Sequence, residues 1–178
     1  MRSKLLLLIL IVISALSLRA DVEYIRYHNK SFNYTLMIPA TWEKSKADFE
    51  YKHVLSLKKG RNTEIRITAV KNDSEEKIKW KNWKEWYVKD VGGGLKKIIE
   101  SKDVQIEKDI TGKLLLFEYN YKGNLVLERI LISEIDDNMI IIECRSPIST
   151  YKKYIEVFNT VMGSLKKTGR ELQVNEGK

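Results

Sequence analysis

Phe32-Asn33-Tyr34-Thr35-Leu36-Met37-Ile38-Pro39-Ala40-Thr41-Trp42 alternates as an extended strand does. Phe32, Tyr34, Leu36 and Ile38 fall on one face, Asn33 and Thr35 on the other. Pro39, which has no N–H to offer a ladder, stops the strand, and Trp42 comes just past the turn.

Upstream of this strand lies a hydrophobic leader. Arg2 and Lys4 form a short basic region, and Leu5 to Leu18 is uncharged and almost wholly apolar. About 14 residues is short for a bilayer span, which needs roughly 20, so residues 1–20 read as a signal peptide. Cleavage fits after Ser17 or after Ala20, and retention as an uncleaved anchor is the alternative. No cysteine near the end of the leader offers a lipid-attachment point. The expected location is the periplasm or the extracellular space.

Export changes the meaning of the charge. The chain has 32 Lys+Arg against 24 Asp+Glu, and three of the basic residues, Arg2, Lys4 and Arg19, belong to the leader. The remaining excess is modest and interleaved with acids, as a solvated surface is. Nucleic acid is not an expected partner; weak contact with an anionic membrane surface is allowed. Cys144 is the only cysteine, so no intramolecular disulfide forms. Its apolar surroundings, Met139-Ile140-Ile141-Ile142-Glu143-Cys144, suit a buried thiol, and neither His28 nor His53 is spaced to serve it as a base. Stability must therefore come from a core, which residues 21–166 are long enough to build as one domain. Residues 167–178 read as a polar, disordered tail.

Downstream, strands are expected at Glu23–His28, Phe32–Pro39, Phe49–Lys58 and Thr63–Lys71, the last pair joined by Lys59-Gly60-Arg61-Asn62. Asp73 and Glu76 form a capping box for a helix running to about Asp90. Gly92-Gly93-Gly94 ends that helix, and Leu95–Glu100 adds a short helical turn. Four further strands follow: Val104–Lys108, Lys113–Lys122, Leu125–Ser133 and Met139–Arg145. Their turns are Thr111-Gly112, Lys122-Gly123-Asn124 and Asp136-Asp137-Asn138, the last read as a hairpin turn rather than a calcium loop. Leu114-Leu115-Leu116-Phe117 and Met139-Ile140-Ile141-Ile142 do not alternate, so these strands should be central and covered on both faces. A last helix starts near Pro147 or Ser149. It turns Tyr151, Ile155, Phe158, Met162 and Leu165 inward, with Tyr154 and Val161 beside them, and keeps Lys152, Lys153, Glu156 and Asn159 wet.

Taken together, Phe32-x-Tyr34-x-Leu36-x-Ile38-Pro39-x-x-Trp42, the central helix, Ile110-Thr111-Gly112 entering a strand, and the closing Pro147…Tyr151-x-x-Tyr154-x-x-x-Phe158…Ser164-Leu165 helix resemble the PsbP-like superfamily. That group includes extrinsic PsbP proteins, DcrB-type periplasmic proteins and a Ran-binding import factor. The resemblance implies an α+β fold, an antiparallel β-sheet covered by helices on both faces (an α/β/α sandwich). It also implies protein binding rather than catalysis, although fold alone does not license function. The chain departs from DcrB-type members in lacking their lipid-anchor cysteine.

The tryptophans suggest where a partner would bind. Trp80, Trp83 and Trp86, followed by Tyr87, stand among Lys77, Lys79, Lys81, Lys84 and Lys89. Trp80, Trp83, Tyr87 and Val91 share a helical stripe suited to packing on a sheet. Trp86 lies about 60° beyond its edge at 100° per residue. With Lys81 and Lys89 beside it, Trp86 is the expected partner-binding anchor. No metal or cofactor motif and no catalytic signature is present. The expected function is that of an exported, non-catalytic accessory protein with a protein partner in the cell envelope. The alternatives are a peripheral envelope protein held by its leader or its Trp/Lys helix, and an unrecognised hydrolase.

Overall fold

The structure, a computed structural model, describes residues 22–71, 81–82 and 97–168. Two antiparallel sheets and one helix carry the fold among these residues. The strands are β1 (Tyr24–Asn29), β2 (Tyr34–Pro39), β3 (Glu43–Asp48), β4 (Lys52–Lys59), β5 (Thr63–Val70), β6 (Lys97–Glu107), β7 (Ile110–Tyr121), β8 (Asn124–Ile135) and β9 (Asn138–Pro147). The helix α1 (Ile148–Gly163) and a two-residue strand β10 (Lys166–Lys167) close the described chain. β3-β4-β5-β9-β8-β7-β6 form the large sheet, and β1-β2-β10 form a separate small one.

The doubly apolar strands behave as the pattern demands. β9 lies between β5 and β8, and Met139, Ile140, Ile141 and Ile142 are all buried. Leu115 and Phe117 of β7 are also buried, facing away from α1. One core joins Leu55, Leu57, Ile65, Ile67, Ile140 and Ile142 to the underside of α1 and to Tyr34, Leu36 and Ile38 of β2. A second, on the opposite face of the large sheet, contains Val70, Leu115, Phe117, Ile130, Ile132, Met139 and Ile141. α1 buries Tyr151, Val157, Phe158, Val161 and Met162 and exposes Lys152, Lys153, Glu156 and Asn159. Trp42 is buried past the end of β2, its ring edge-on to Tyr154 at 5.8 Å.

The structure corrects the expected arrangement at several points. The single expected sheet is two: β1 and β2 pair with each other and not with the large sheet, and Lys166 and Lys167 pair with Thr35 and Tyr34 of β2 on the side opposite β1. Residues 97–100 are not helical: they open β6, where Ile98 lies opposite Phe117. Thr111-Gly112 is not a turn but lies inside β7, and the reversal occurs at Lys108-Asp109. Gly112 is needed for another reason: a Cβ there would lie 2.8 Å from the Ile132 carbonyl oxygen. β3 has no apolar alternation to announce it, since all six residues are exposed on the sheet's edge. β4 begins at Lys52, and Phe49-Glu50-Tyr51 form the turn before it. Helices on both faces are not established among the described residues: α1 covers one face, and most of the expected 73–90 helix lies outside them, although Lys81 is helical.

The two hairpin turns expected around Gly123 and Asp136 are present. Lys122 and Gly123 have φ of 50° and 79°, and Asp136 and Asp137 have φ of 48° and 66°. Positive φ at both central positions matches the right-handed twist of the flanking strands. Asp136 also accepts hydrogen bonds from the side chains of Asn33 and Lys167, tying the small sheet to the β8–β9 turn.

Candidate functional site

Of the expected anchor residues, only Lys81 is described; Trp86 and Lys89 lie outside the described residues, as do Trp80, Trp83, Tyr87 and the triple glycine. Lys81 is exposed and pairs with Glu134 of β8 at 3.6 Å. Glu134 points the same way as Ile132, and both line a cavity of about 300 Å³ with Met139 and Lys81. This places Lys81 on the second face of the large sheet, opposite α1.

A second group of polar side chains meets between the two sheets. His53 alternates with Leu55 and Leu57 on the inner face of β4 and is only 2% exposed. Its Nδ1 meets the Asp48 carboxylate of β3, and its Nε2 lies 2.7 Å from the Tyr27 hydroxyl of β1. A carboxylate only accepts, so Nδ1 donates to Asp48, and Nε2 pairs with the Tyr27 hydroxyl. The hydrogen bond from His53 holds the Asp48 carboxyl below its usual range. Burial raises the Tyr27 phenol; the Asn29 side chain opposes this and the Asp48 charge adds to it. Asn29 in turn accepts from the Phe32 N–H at 3.2 Å, fixing the β1–β2 turn.

This chain has the order of an Asp–His–nucleophile relay with a phenol in the nucleophile's place. A nucleophile needs a lowered pKa or a base able to take its proton easily. Burial shifts Tyr27 the opposite way, and the three side chains link β1, β3 and β4.

The third cluster is ionic and lies on the second face. In the strand register, Arg145 of β9 stands between Glu64 of β5 and Glu128 of β8. Both carboxylates are buried. Arg145 donates to Glu64, which also accepts from the Ser56 hydroxyl at 2.7 Å, and the Tyr121 ring lies 4.6 Å from the guanidinium carbon. Burial alone would raise the Glu64 carboxyl, but Ser56, Arg145 and Arg66 outweigh it and the net shift is downward. Burial likewise works against the Arg145 charge, and Glu64, Tyr119 and Glu128 reverse it, so the guanidinium stays charged. Sequence alternation gave no hint of this cluster, because charged residues every second position read as a wet face. The one readable signal was the apolar run Met139–Ile142, which places β9, and hence Arg145, at the sheet's centre.

Cys144 is fully buried against the α1 side, and burial pushes its thiol well up, with Arg129 opposing. A protonated thiol without solvent access is a packing group. Among the described residues, no set of three or more His, Cys, Asp or Glu side chains is arranged to hold a metal ion.

No protein-family model matches the sequence, and no curated protein matches it. Solved structures do. The solution structure of cyanobacterial PsbP (CyanoP) from Synechocystis sp. PCC 6803 superposes with a TM-score of 0.63 at 12% identity, covering 85% of this chain and 96% of that one. A Bacteroides thetaiotaomicron VPI-5482 protein matches with a TM-score of 0.53 at 13% identity, over 82% of this chain and 49% of that one. LpqN, described as involved in cell envelope biogenesis of Mycobacterium tuberculosis, matches at 0.51 and 9% identity, over 82% and 91%. At such identities the likeness is one of fold, and that fold is PsbP-like.

Proposed function

We propose that this PsbP-like fold serves as a non-catalytic accessory protein of the cell envelope, exported by its leader and acting through a protein partner. The observation that carries the reading is that its clustered polar side chains satisfy one another. Asp48, His53 and Tyr27 engage one another, as do Glu64 and Arg145, and the Tyr27 phenol is raised rather than activated. The envelope role stated for LpqN, which shares the fold, supports the compartment.

The partner surface in this reading is centred on Trp86, with Lys81 and Lys89 beside it. In this reading the helix expected at 73–90 covers the second face of the large sheet, which would give the α/β/α sandwich. Three observations support this placement: the buried apolar side chains of that face, the helical state of Lys81 and its contact with Glu134. The chain leaves β5 and returns at β6, four strand positions away in the sheet. That is about 19 Å at roughly 4.8 Å per strand, and an 18-residue helix of about 27 Å spans it. Trp80, Trp83 and Tyr87 then face the sheet and Trp86 faces outward.

Export is tested by fractionating cells and sequencing the N-terminus of the recovered protein. A start at Leu18 or Asp21 in the envelope or external fraction is expected. Recovery from the cytosol with the leader intact would overturn the localisation.

A further inference from the structure

α1 packs on β9, β8 and β2, so the face of the large sheet that carries it is only partly covered. On that face β8 presents the alternate residues Leu125, Leu127 and Arg129, opposite Asn120, Glu118 and Leu116 of β7. Ile148, Ile155 and Asn159 share one flank of α1, within about 40° at 100° per residue. Asn159 accepts a hydrogen bond from Arg129, so this flank borders β8. Leu125 and Ile148 are each 44% exposed, and Leu116, Leu127 and Ile155 are partly buried. Together they make an apolar strip that runs about 13 Å from Leu125 to Arg129 at about 3.3 Å per residue.

Arg129 ends the strip. Among the described residues no carboxylate stands within ion-pair distance of its guanidinium. Glu100, two strands away across Leu116, is held by Lys102 at 2.6 Å, and Glu118 lies one register pair off. Arg129 Nε and the Tyr151 hydroxyl are both buried without a hydrogen-bond partner. Burial raises the Tyr151 phenol, and the Arg129 charge opposes it. A guanidinium only donates, so this end is short of acceptors.

The borders of the strip select its occupant. β7 and β8 are hydrogen-bonded on both sides, so an extended peptide laid here would set unpaired amides against leucines. Glu118 and Asn120 keep the strip one side-chain row wide, narrower than a helix of about 10 Å. An alkyl chain needs neither hydrogen bonds nor that width. We propose that the strip binds a medium-chain fatty acid, its carboxylate on Arg129 and its chain lying along Leu127 and Ile155 toward Leu125 and Ile148. This site is on the face opposite the proposed Trp86 helix and does not depend on it.

The experiment follows leucine and isoleucine methyl signals by NMR while the full chain is titrated with hexanoate, octanoate and decanoate below their micelle concentrations. Saturable shifts at Leu125, Leu127 and Ile155 are expected, with affinity rising about tenfold for each two methylene groups. Decyltrimethylammonium, with the same chain and the opposite charge, should bind at least tenfold more weakly than decanoate. Arg129→Gln should remove that preference. Leu125→Ser combined with Ile148→Ser, at positions too exposed to hold the core, should flatten the dependence on chain length, and thermal melts check that each variant folds. If Arg129→Gln does not fold, the headgroup comparison and the double variant decide. No saturable shift, equal binding of the two headgroups, or an unchanged chain-length dependence in the double variant would overturn the proposal. Displacement of decanoate by a lower concentration of a trileucyl-glutamate peptide would assign the strip to a protein segment and overturn it as well.

Discussion

Arg145 stands between two buried carboxylates, so its removal takes a buried countercharge from Glu64 and Glu128. Breaking a buried pair in this way costs about 3–5 kcal/mol, and Arg145→Met should show that loss in urea unfolding at neutral pH. The pH dependence has a definite sign. Glu64 is lowered in the folded state, so its contribution is present above the unfolded carboxyl range and is lost as pH falls through the lower folded value. The stability gap between parent and Arg145→Met should therefore shrink as pH drops from about 5 toward 3. A gap that stays constant would contradict the assignment. Gly112 gives a second test at this scale. Gly112→Ala puts a methyl group 2.8 Å from the Ile132 carbonyl oxygen and should cost about 1–3 kcal/mol in thermal or urea unfolding. An unchanged melt would mean the two strands can separate freely there. Gly112 was not legible for what it does, because it read as part of a turn.

At the scale of elements, legibility followed burial. β2, β9 and α1 carry strong apolar patterns, and each lies where its pattern predicts. β3 carries none, because an edge strand can be wholly polar and charge there discourages pairing with another chain. The start of β6 read as helix because Lys97-Ile98-Ile99-Glu100 has no strict alternation. The irregular register between Ile98 and Glu100 is the physical cause: a bulge breaks the two-residue period. The third strand of the small sheet was illegible because it depends on a pairing between Lys166–Lys167 and β2 that lies far apart in sequence. The proposed Trp-bearing helix makes a prediction of its own. Trp83→Ala should cost about 3–5 kcal/mol as a buried aromatic, whereas Trp86→Ala should change stability by no more than about 0.5 kcal/mol. Equal costs in urea unfolding would remove the assignment of Trp86 to the outer face.

For the whole molecule, a PsbP-like fold persists at 12% identity to CyanoP because the constraint is the layered burial pattern rather than particular side chains. Leu36, Ile65, Ile142 and Phe158 satisfy that pattern from four different elements within one core. The Phe32–Trp42 stretch is thus a marker of scaffold. Pro39 ends β2, and Trp42 fills the space beside Tyr154. A partner surface leaves no trace in such a pattern, since apolar periodicity encodes the core and not the surface. The candidate anchor was legible only as a departure from the stripe, at Trp86, and the His53 cluster only once β1, β3 and β4 were brought together. The most direct test of the accessory role is in-cell crosslinking of the tagged full chain, with parent, Trp86→Ala and Phe49→Ala compared under the same conditions. The account predicts one reproducible envelope protein captured by the parent and by Phe49→Ala, and its loss with Trp86→Ala. Capture of no specific protein, or undiminished capture by a folded Trp86→Ala variant, would contradict it.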